Sequence, residues 1–172
     1  INDCIQTALD MKAADPRVFV PQQFENQANT RVQYEKPGRE IIEQVGKKID
    51  GFCSGIGTGG TITGIGTALR EANPDIEIWA LEPENAAILS GKEIGSHIQM
   101  GIGDGLIPAI LDQEVYNSVA IITDEEALHT AKELARLEGL LCGISGGTNV
   151  AAAIKLAKKL GKGKTVVTVL PD

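Results

Sequence analysis

The chain has 172 residues, 42% of them hydrophobic and only 3% aromatic, with 20 glycines and a formal net charge of -7. That length supports one sizeable core, or one domain with a piece of another, and a glycine-rich, aromatic-poor composition suits an α/β chain rather than an all-β sandwich. The acidic balance, with no long Lys/Arg run, excludes a nucleic-acid or anionic-membrane footprint, and no apolar run reaches transmembrane length.

In chain order, residues 1–14 carry Ile5, Leu9 and Met11 at roughly helical spacing, and Asp15-Pro16 stops the pattern. Val18-Phe19-Val20 is a short strand candidate. Residues 25–38 are polar, contain Asn, Gln and Pro, and read as a connection. A helix is expected over 40–48 with Ile41, Ile42 and Val45 facing inward. A buried strand follows at 51–54, then a glycine-rich loop, then a helix over 61–72 that Asn73-Pro74 ends. Residues 76–82 form the next strand. Residues 83–114 are a long mixed stretch containing Gly101, Gly103 and Gly105, and a loop-rich region of that length is usually functional. A strand is expected at 119–122, followed by a capping box in which the Thr123 hydroxyl accepts from an N3 amide and Glu126 reaches back. That helix runs to about residue 138, where Gly139 closes it. A second glycine cluster, residues 143–147, precedes an Ala-rich helix over 149–160 and a last strand over 165–170.

Short strands that are apolar on both faces and separated by helices predict a parallel sheet covered on both sides. Ligands of such sheets sit at the carboxyl ends of the strands, where both glycine clusters fall. The pattern begins and ends inside secondary-structure elements, so a piece of a longer chain is expected. Three widely spaced cysteines, Cys4, Cys53 and Cys142, form no CxxC and predict buried thiols in a reducing, cytoplasmic setting. His97 and His129 make no metal-binding pair, so no metal site is expected.

The first cluster, Gly55-Ile56-Gly57-Thr58-Gly59-Gly60-Thr61, joins a strand to a helix. Free N–H groups and the helix dipole there favour an anion, and Thr58 and Thr61 add hydroxyl donors. A phosphate is the natural guest, against a tight turn with no ligand. A dinucleotide remains open as well, because Gly55, Gly57 and Gly60 match GxGxxG and Glu82 stands where a ribose-binding acid belongs. In the second cluster Ser145 either bonds one heteroatom of a flat ring or serves only as a helix cap.

Four stretches carry a resemblance: Gln22-Gln23-Phe24-Glu25-Asn26, the first glycine cluster, Gly101-Ile102-Gly103-Asp104-Gly105, and Glu138-Gly139-Leu140-Leu141-Cys142-Gly143-Ile144-Ser145-Gly146. Together, and in order, they resemble the cysteine synthase (O-acetylserine sulfhydrylase) family, with cystathionine β-synthase as the near relative. The resemblance implies an α/β fold of type II pyridoxal-phosphate enzymes (tryptophan synthase β-like), a three-layer, doubly wound, mostly parallel sheet, here incomplete. It implies that residues 1–25 are the tail of an N-terminal substrate and lysine domain, and 26–172 the truncated C-terminal phosphate-binding domain.

The resemblance also implies pyridoxal 5'-phosphate as cofactor, with Gly57, Thr58, Gly59, Gly60 and Thr61 on its phosphate and Ser145 on its pyridine nitrogen. Gln23 would bond the substrate carboxylate, Phe24 would line the pocket, and the loop at Gly101 and Gly103 would border the substrate and close over it. A serine hydroxyl is too weak an acid to keep the ring nitrogen protonated, which favours loss of a β-leaving group through an α-aminoacrylate. The implied reaction makes cysteine from O-acetylserine and sulfide. The small residues of the 101–105 loop favour that over a cystathionine β-synthase. The Schiff-base lysine belongs to the family's N-terminal half, and no lysine here occupies a matching motif, so this chain alone is expected to be inactive. One further departure is Ser145-Gly146-Gly147 where the family often has Ser-Ser-Gly. A homodimer, and serine acetyltransferase as partner, are implied too.

Overall fold

The computed structural model describes residues 2–171. The elements are α1 (Asn2–Ala14), α2 (Ala28–Gln33), α3 (Arg39–Val45), β1 (Gly51–Gly55), α4 (Gly60–Ala72), β2 (Glu77–Pro83), β3 (Ser118–Ile122), α5 (Asp124–Glu133), α6 (Ile144–Leu160) and β4 (Val166–Thr168). The four strands make one all-parallel sheet in the order β3-β2-β1-β4.

Alternation along the central strands builds two cores. Phe52 and Ile78 sit on one side with Ile62, Ile65 and Leu69 of α4. Cys53 and Leu81 sit on the other with Ala127 of α5 and Ala151, Ala152 and Leu156 of α6. A sheet buried on both faces needs apolar residues at successive strand positions, and the buried run Gly51–Ser54 in β1 has them. The expected three-layer α/β arrangement is therefore present. None of the residues of α1 is buried, and Ile1, where the expected first helix begins, lies outside the described residues.

Several local expectations are corrected. Residues 18–20 form no strand, and Phe19 is 82% exposed. With no neighbouring strand to bond, a three-residue apolar run gains nothing from extended pairing. Residues 25–38 are not a bare connection: α2 runs into a π-helical turn at Tyr34–Gly38 and then into α3. The turn holds Pro37, whose missing N–H is accommodated where the helix widens. Propensity argued against a helix here, and packing on α4 overrides it. A Cβ on Gly64 of α4 would collide with the Thr30 carbonyl oxygen, so α2 lies directly on the α4 backbone. Helix α3 ends at Val45 rather than at 48. The helix after Thr123 changes to a π turn over Leu134–Glu138 before Gly139. The last strand keeps only Val166–Thr168. The capping box is present, with the Glu126 amide donating to Thr123 Oγ1 at 3.1 Å and the Thr123 amide donating to a Glu126 carboxylate oxygen at 3.2 Å.

Asp50 fixes the start of β4 against the start of β1. Its carboxylate accepts from the Thr165 amide at 3.0 Å and from Lys164 Nζ at 3.0 Å. The amide bond first, then the lysine, hold its pKa below the ordinary 3.8. A depressed folded value contributes stability above 3.8 that is lost as pH falls through the lower folded value. Urea midpoints measured from neutral pH downward are therefore expected to fall below pH 3.8, and less steeply in Asp50→Asn than in the parent chain. Gly64→Ala is expected to cost about 1–3 kcal/mol by forcing α2 off α4, read as a lower urea midpoint at unchanged slope.

Candidate functional site

Strand β1 ends at Gly55 and α4 begins at Gly60, so residues 56–59 carry the backbone from the sheet's carboxyl edge into a helix N-terminus. The N-cap is Gly59, at φ 82, a left-handed value that glycine alone adopts readily. It has no side chain to cap the first turn, so the first-turn amides after Gly60 and the positive end of the α4 dipole face the loop. Thr58 Oγ1 accepts from Asn29 Nδ2 at 3.0 Å and from the Gly60 amide at 3.3 Å. With both lone pairs engaged, its O–H is left to donate. Thr61 adds a half-buried hydroxyl in the first turn.

The loop glycines are required by the protein's own close packing. A Cβ on Gly57 would strike the Gly101 carbonyl oxygen, and one on Gly60 would strike the Asn29 amide. Asn29 was not legible as a site residue, yet its Nδ2 donates to both Thr58 Oγ1 and, at 3.1 Å, the Gln23 carbonyl oxygen. The only sequence signal was an asparagine among polar neighbours just after the Gln22–Asn26 stretch.

The 101–105 loop docks on the first cluster. The Gly103 amide donates to the Ile56 carbonyl oxygen at 3.0 Å, and buried Ile102 packs over Gly55. Gly101, Gly103 and Gly105 all have positive φ. Just upstream, Gln99 is fully buried. Its Nε2 donates to the Ile122 carbonyl oxygen at 3.0 Å and to Asp124 Oδ1 at 2.9 Å, and its Oε1 accepts from Thr148 Oγ1 at 2.8 Å. The loop is thus tied to the starts of both α5 and α6.

Ser145, 5% exposed, stands in the first turn of α6, whose N-cap is Gly143. The helix begins five residues earlier than expected, so Ser145 is not a cap, and that reading of it fails. Asn149, one turn later, accepts from the Gly55 amide at 2.8 Å and donates to the Val169 carbonyl oxygen at 2.8 Å. Gln23 is exposed and Phe24 half-buried. Both line a groove of about 310 Å³ shared with Cys4, Ile5, Ala8 and Leu9 of α1. The structure joins Gln23 to the first cluster through its backbone, by way of Asn29.

Glu82 decides against the dinucleotide reading. It is 3% exposed. Its Oε1 accepts from the Leu89 amide at 2.6 Å, and its Oε2 from the Ser90 amide at 3.1 Å and hydroxyl at 2.9 Å. Both oxygens hold the 88–90 turn, and the carboxylate is buried rather than presented to a ribose. The three glycines keep their GxGxxG spacing without the acid that would give it meaning.

A family model described as "Pyridoxal-phosphate dependent enzyme" matches residues 1–172. The chain belongs to the pyridoxal-phosphate dependent enzyme family. It is 49% identical over 155 residues to a Staphylococcus aureus cysteine synthase, an alignment covering 90% of this chain and 50% of that protein. Among solved structures, an O-acetylserine dependent cystathionine β-synthase from Helicobacter pylori is similar at TM-score 0.93 and 36% identity, covering 98% of this chain and 55% of that one. A cysteine synthase from Entamoeba histolytica is similar at TM-score 0.92 and 35% identity, covering 98% and 50%. The chain spans about half the length of the curated relatives it matches. The donor set of this pyridoxal-phosphate family member suits a phosphate group: helix N-terminal amides beyond Gly60, a Thr58 hydroxyl left to donate, and glycines that keep the approach clear of side chains.

Among the described residues no group of His, Cys, Asp and Glu is arranged to hold a metal ion, and no helix is long and apolar enough to cross a membrane. Cys53 lies beneath the first cluster, fully buried, and burial pushes its thiol up to about 12. Iodoacetamide at pH 8 is expected to modify exposed Cys4 and leave Cys53 intact in the native chain, as peptide mapping by mass spectrometry will show.

Proposed function

We propose that Gly57, Thr58, Gly59, Gly60 and Thr61 hold the phosphate of pyridoxal 5'-phosphate at the N-terminus of α4, and that Ser145 hydrogen-bonds to its pyridine nitrogen. We propose further that the full-length protein makes cysteine from O-acetylserine and sulfide by β-replacement. The observation that carries this reading is the uncapped α4 N-terminus with Thr58 held by Asn29 and its O–H left to donate. Bound there, the cofactor supplies an electron sink for the substrate's reacting carbons.

The chain's own residues contribute binding and orientation. The α4 amides and the Thr58 hydroxyl neutralise the phosphate and fix its position. Ser145 presents a neutral hydroxyl, which orients the ring without protonating it. Gln23 binds the substrate carboxylate, Phe24 forms an apolar wall, and the loop at Gly101 and Gly103 closes the site against water. Residues 1–25 belong to the substrate domain and 26–172 to the phosphate-binding domain. The absence of any buried residue in α1 supports that division. A cytoplasmic homodimer, with serine acetyltransferase as partner, is supported by the resemblance alone.

The full-length protein is expected to develop a Schiff-base absorbance band with pyridoxal phosphate and to form cysteine from O-acetylserine and sulfide. The 172-residue chain alone is expected to form none. Thr58→Val, which removes the hydroxyl and leaves Asn29 Nδ2 without that acceptor, is expected to weaken cofactor binding about tenfold or more, the effect of losing a hydrogen bond to a charged group. Tight NAD binding with no cofactor band would overturn the reading. Product formation with homocysteine in place of sulfide would redirect it to a cystathionine β-synthase.

A further inference from the structure

The ladder between β1 and β4 stops in an unusual way. The register pairs Gly51 with Val166 and Cys53 with Thr168. The Gly51 amide donates to the carbonyl oxygen one residue before its partner, Thr165, at 3.1 Å. In a parallel pair that relation repeats every second residue, so after Gly51 the series passes to Cys53 against the Val167 carbonyl oxygen and then to Gly55, which is due to bond the carbonyl oxygen of Val169. It does not. The side-chain amide of Asn149 stands between them, accepting from the Gly55 amide through Oδ1 at 2.8 Å and donating through Nδ2 to the Val169 carbonyl oxygen at 2.8 Å. Asn149 is 1% exposed, and each backbone group matches one half of its amide. The rung after that is closed to a backbone bond as well, because the residue beyond β4 that would donate is Pro171, which has no N–H.

From this we infer that Asn149 is a positioning residue that wedges the sheet open at its carboxyl edge and sets the spacing between the two glycine clusters. It stands on α6 one turn beyond Ser145, on the same face of the helix. The atom it holds, the Gly55 amide, is the root of the Gly57–Thr61 loop. One side chain therefore fixes how far the Ser145 turn lies from the phosphate loop. A cofactor gripped at its phosphate and at its ring nitrogen needs that separation held. The role rests on the reading of the site given under Proposed function, whereas the wedge itself rests on the three hydrogen bonds and the register.

The test uses the full-length protein. In Asn149→Ala the wedge is gone, and the Gly55 amide and Val169 carbonyl oxygen are free to bond directly. A crystal structure is expected to show them at hydrogen-bond distance, with the clusters drawn together. Cofactor affinity, measured by fluorescence titration well below the unfolding temperature, is expected to fall at least tenfold. In Asn149→Ser a water fits the vacated space and relays both bonds, so the affinity is expected to lie between the two. Should the alanine variant not fold, the serine variant alone decides, through a loss of affinity of more than about threefold. Wild-type affinity in a folded variant whose unfolding midpoint has dropped identifies an ordinary core amide and overturns the inference. A Gly55–Val169 gap that stays open in the alanine structure overturns it too. If the wild-type protein binds no pyridoxal phosphate, the reading of the site fails, and the wedge is then judged by the variant structures alone.

Discussion

Two close approaches to the α4 end of the first loop govern the site: the Gly101 carbonyl against Gly57, and the Asn29 side chain against Gly60. Each places atoms where a Cβ would stand, so the loop is glycine-rich because protein presses on it from two sides. An anion-binding helix N-terminus requires amides that nothing else satisfies, held still enough that binding need not order them. Packing of the 101–105 loop on one flank and Asn29 on the other supplies that stillness, while the Gly60 amide is taken by Thr58 Oγ1. The Thr58 hydroxyl oxygen, engaged as an acceptor twice, is the clearest product of the arrangement.

The sheet and its covering helices were legible because their signals are local. Apolar runs at β1 and β2, and the capping box at Thr123, specify their structure within a few residues. The α2 helix was not legible. Its sequence is polar, and its stability comes from lying on the bare α4 backbone at Gly64, a contact made between residues far apart in the chain. The apolar run at Val18-Phe19-Val20 misled for the converse reason: nothing in the fold stands beside it to pair with.

Of the candidate site, the glycine clusters and Ser145 were readable as loop-to-helix junctions. Their supports were not. Asn29, Gln99 and Asn149 are single polar residues inside ordinary stretches, and only the fold shows that they bond across 29, 49 and 94 residues respectively. Glu82 teaches the opposite lesson. Its spacing from the first cluster suited a ribose acid, but the same carboxylate at a strand end is as well suited to holding a turn, and the Leu89 and Ser90 amides take it.

The strand order has a consequence for how the chain reaches this state. Strand β1 pairs on one side with β2, which follows after a single helix, and on the other with β4, the last strand among the described residues. The Thr165–Asp50 contact closes a span of 115 residues. Local pairings form at low entropic cost, while closing a span of that length is slower and costlier. The β1–α4–β2 unit is therefore expected to fold early, and the α6 and β4 contacts on β1 late. The helix N-terminus at α4 belongs to the early part and the Ser145 turn to the late part. On that order, and on the proposed reading of the site, its two ends mature at different times, and a phosphate-bearing ligand present during folding would meet the α4 N-terminus before the Ser145 turn is in place.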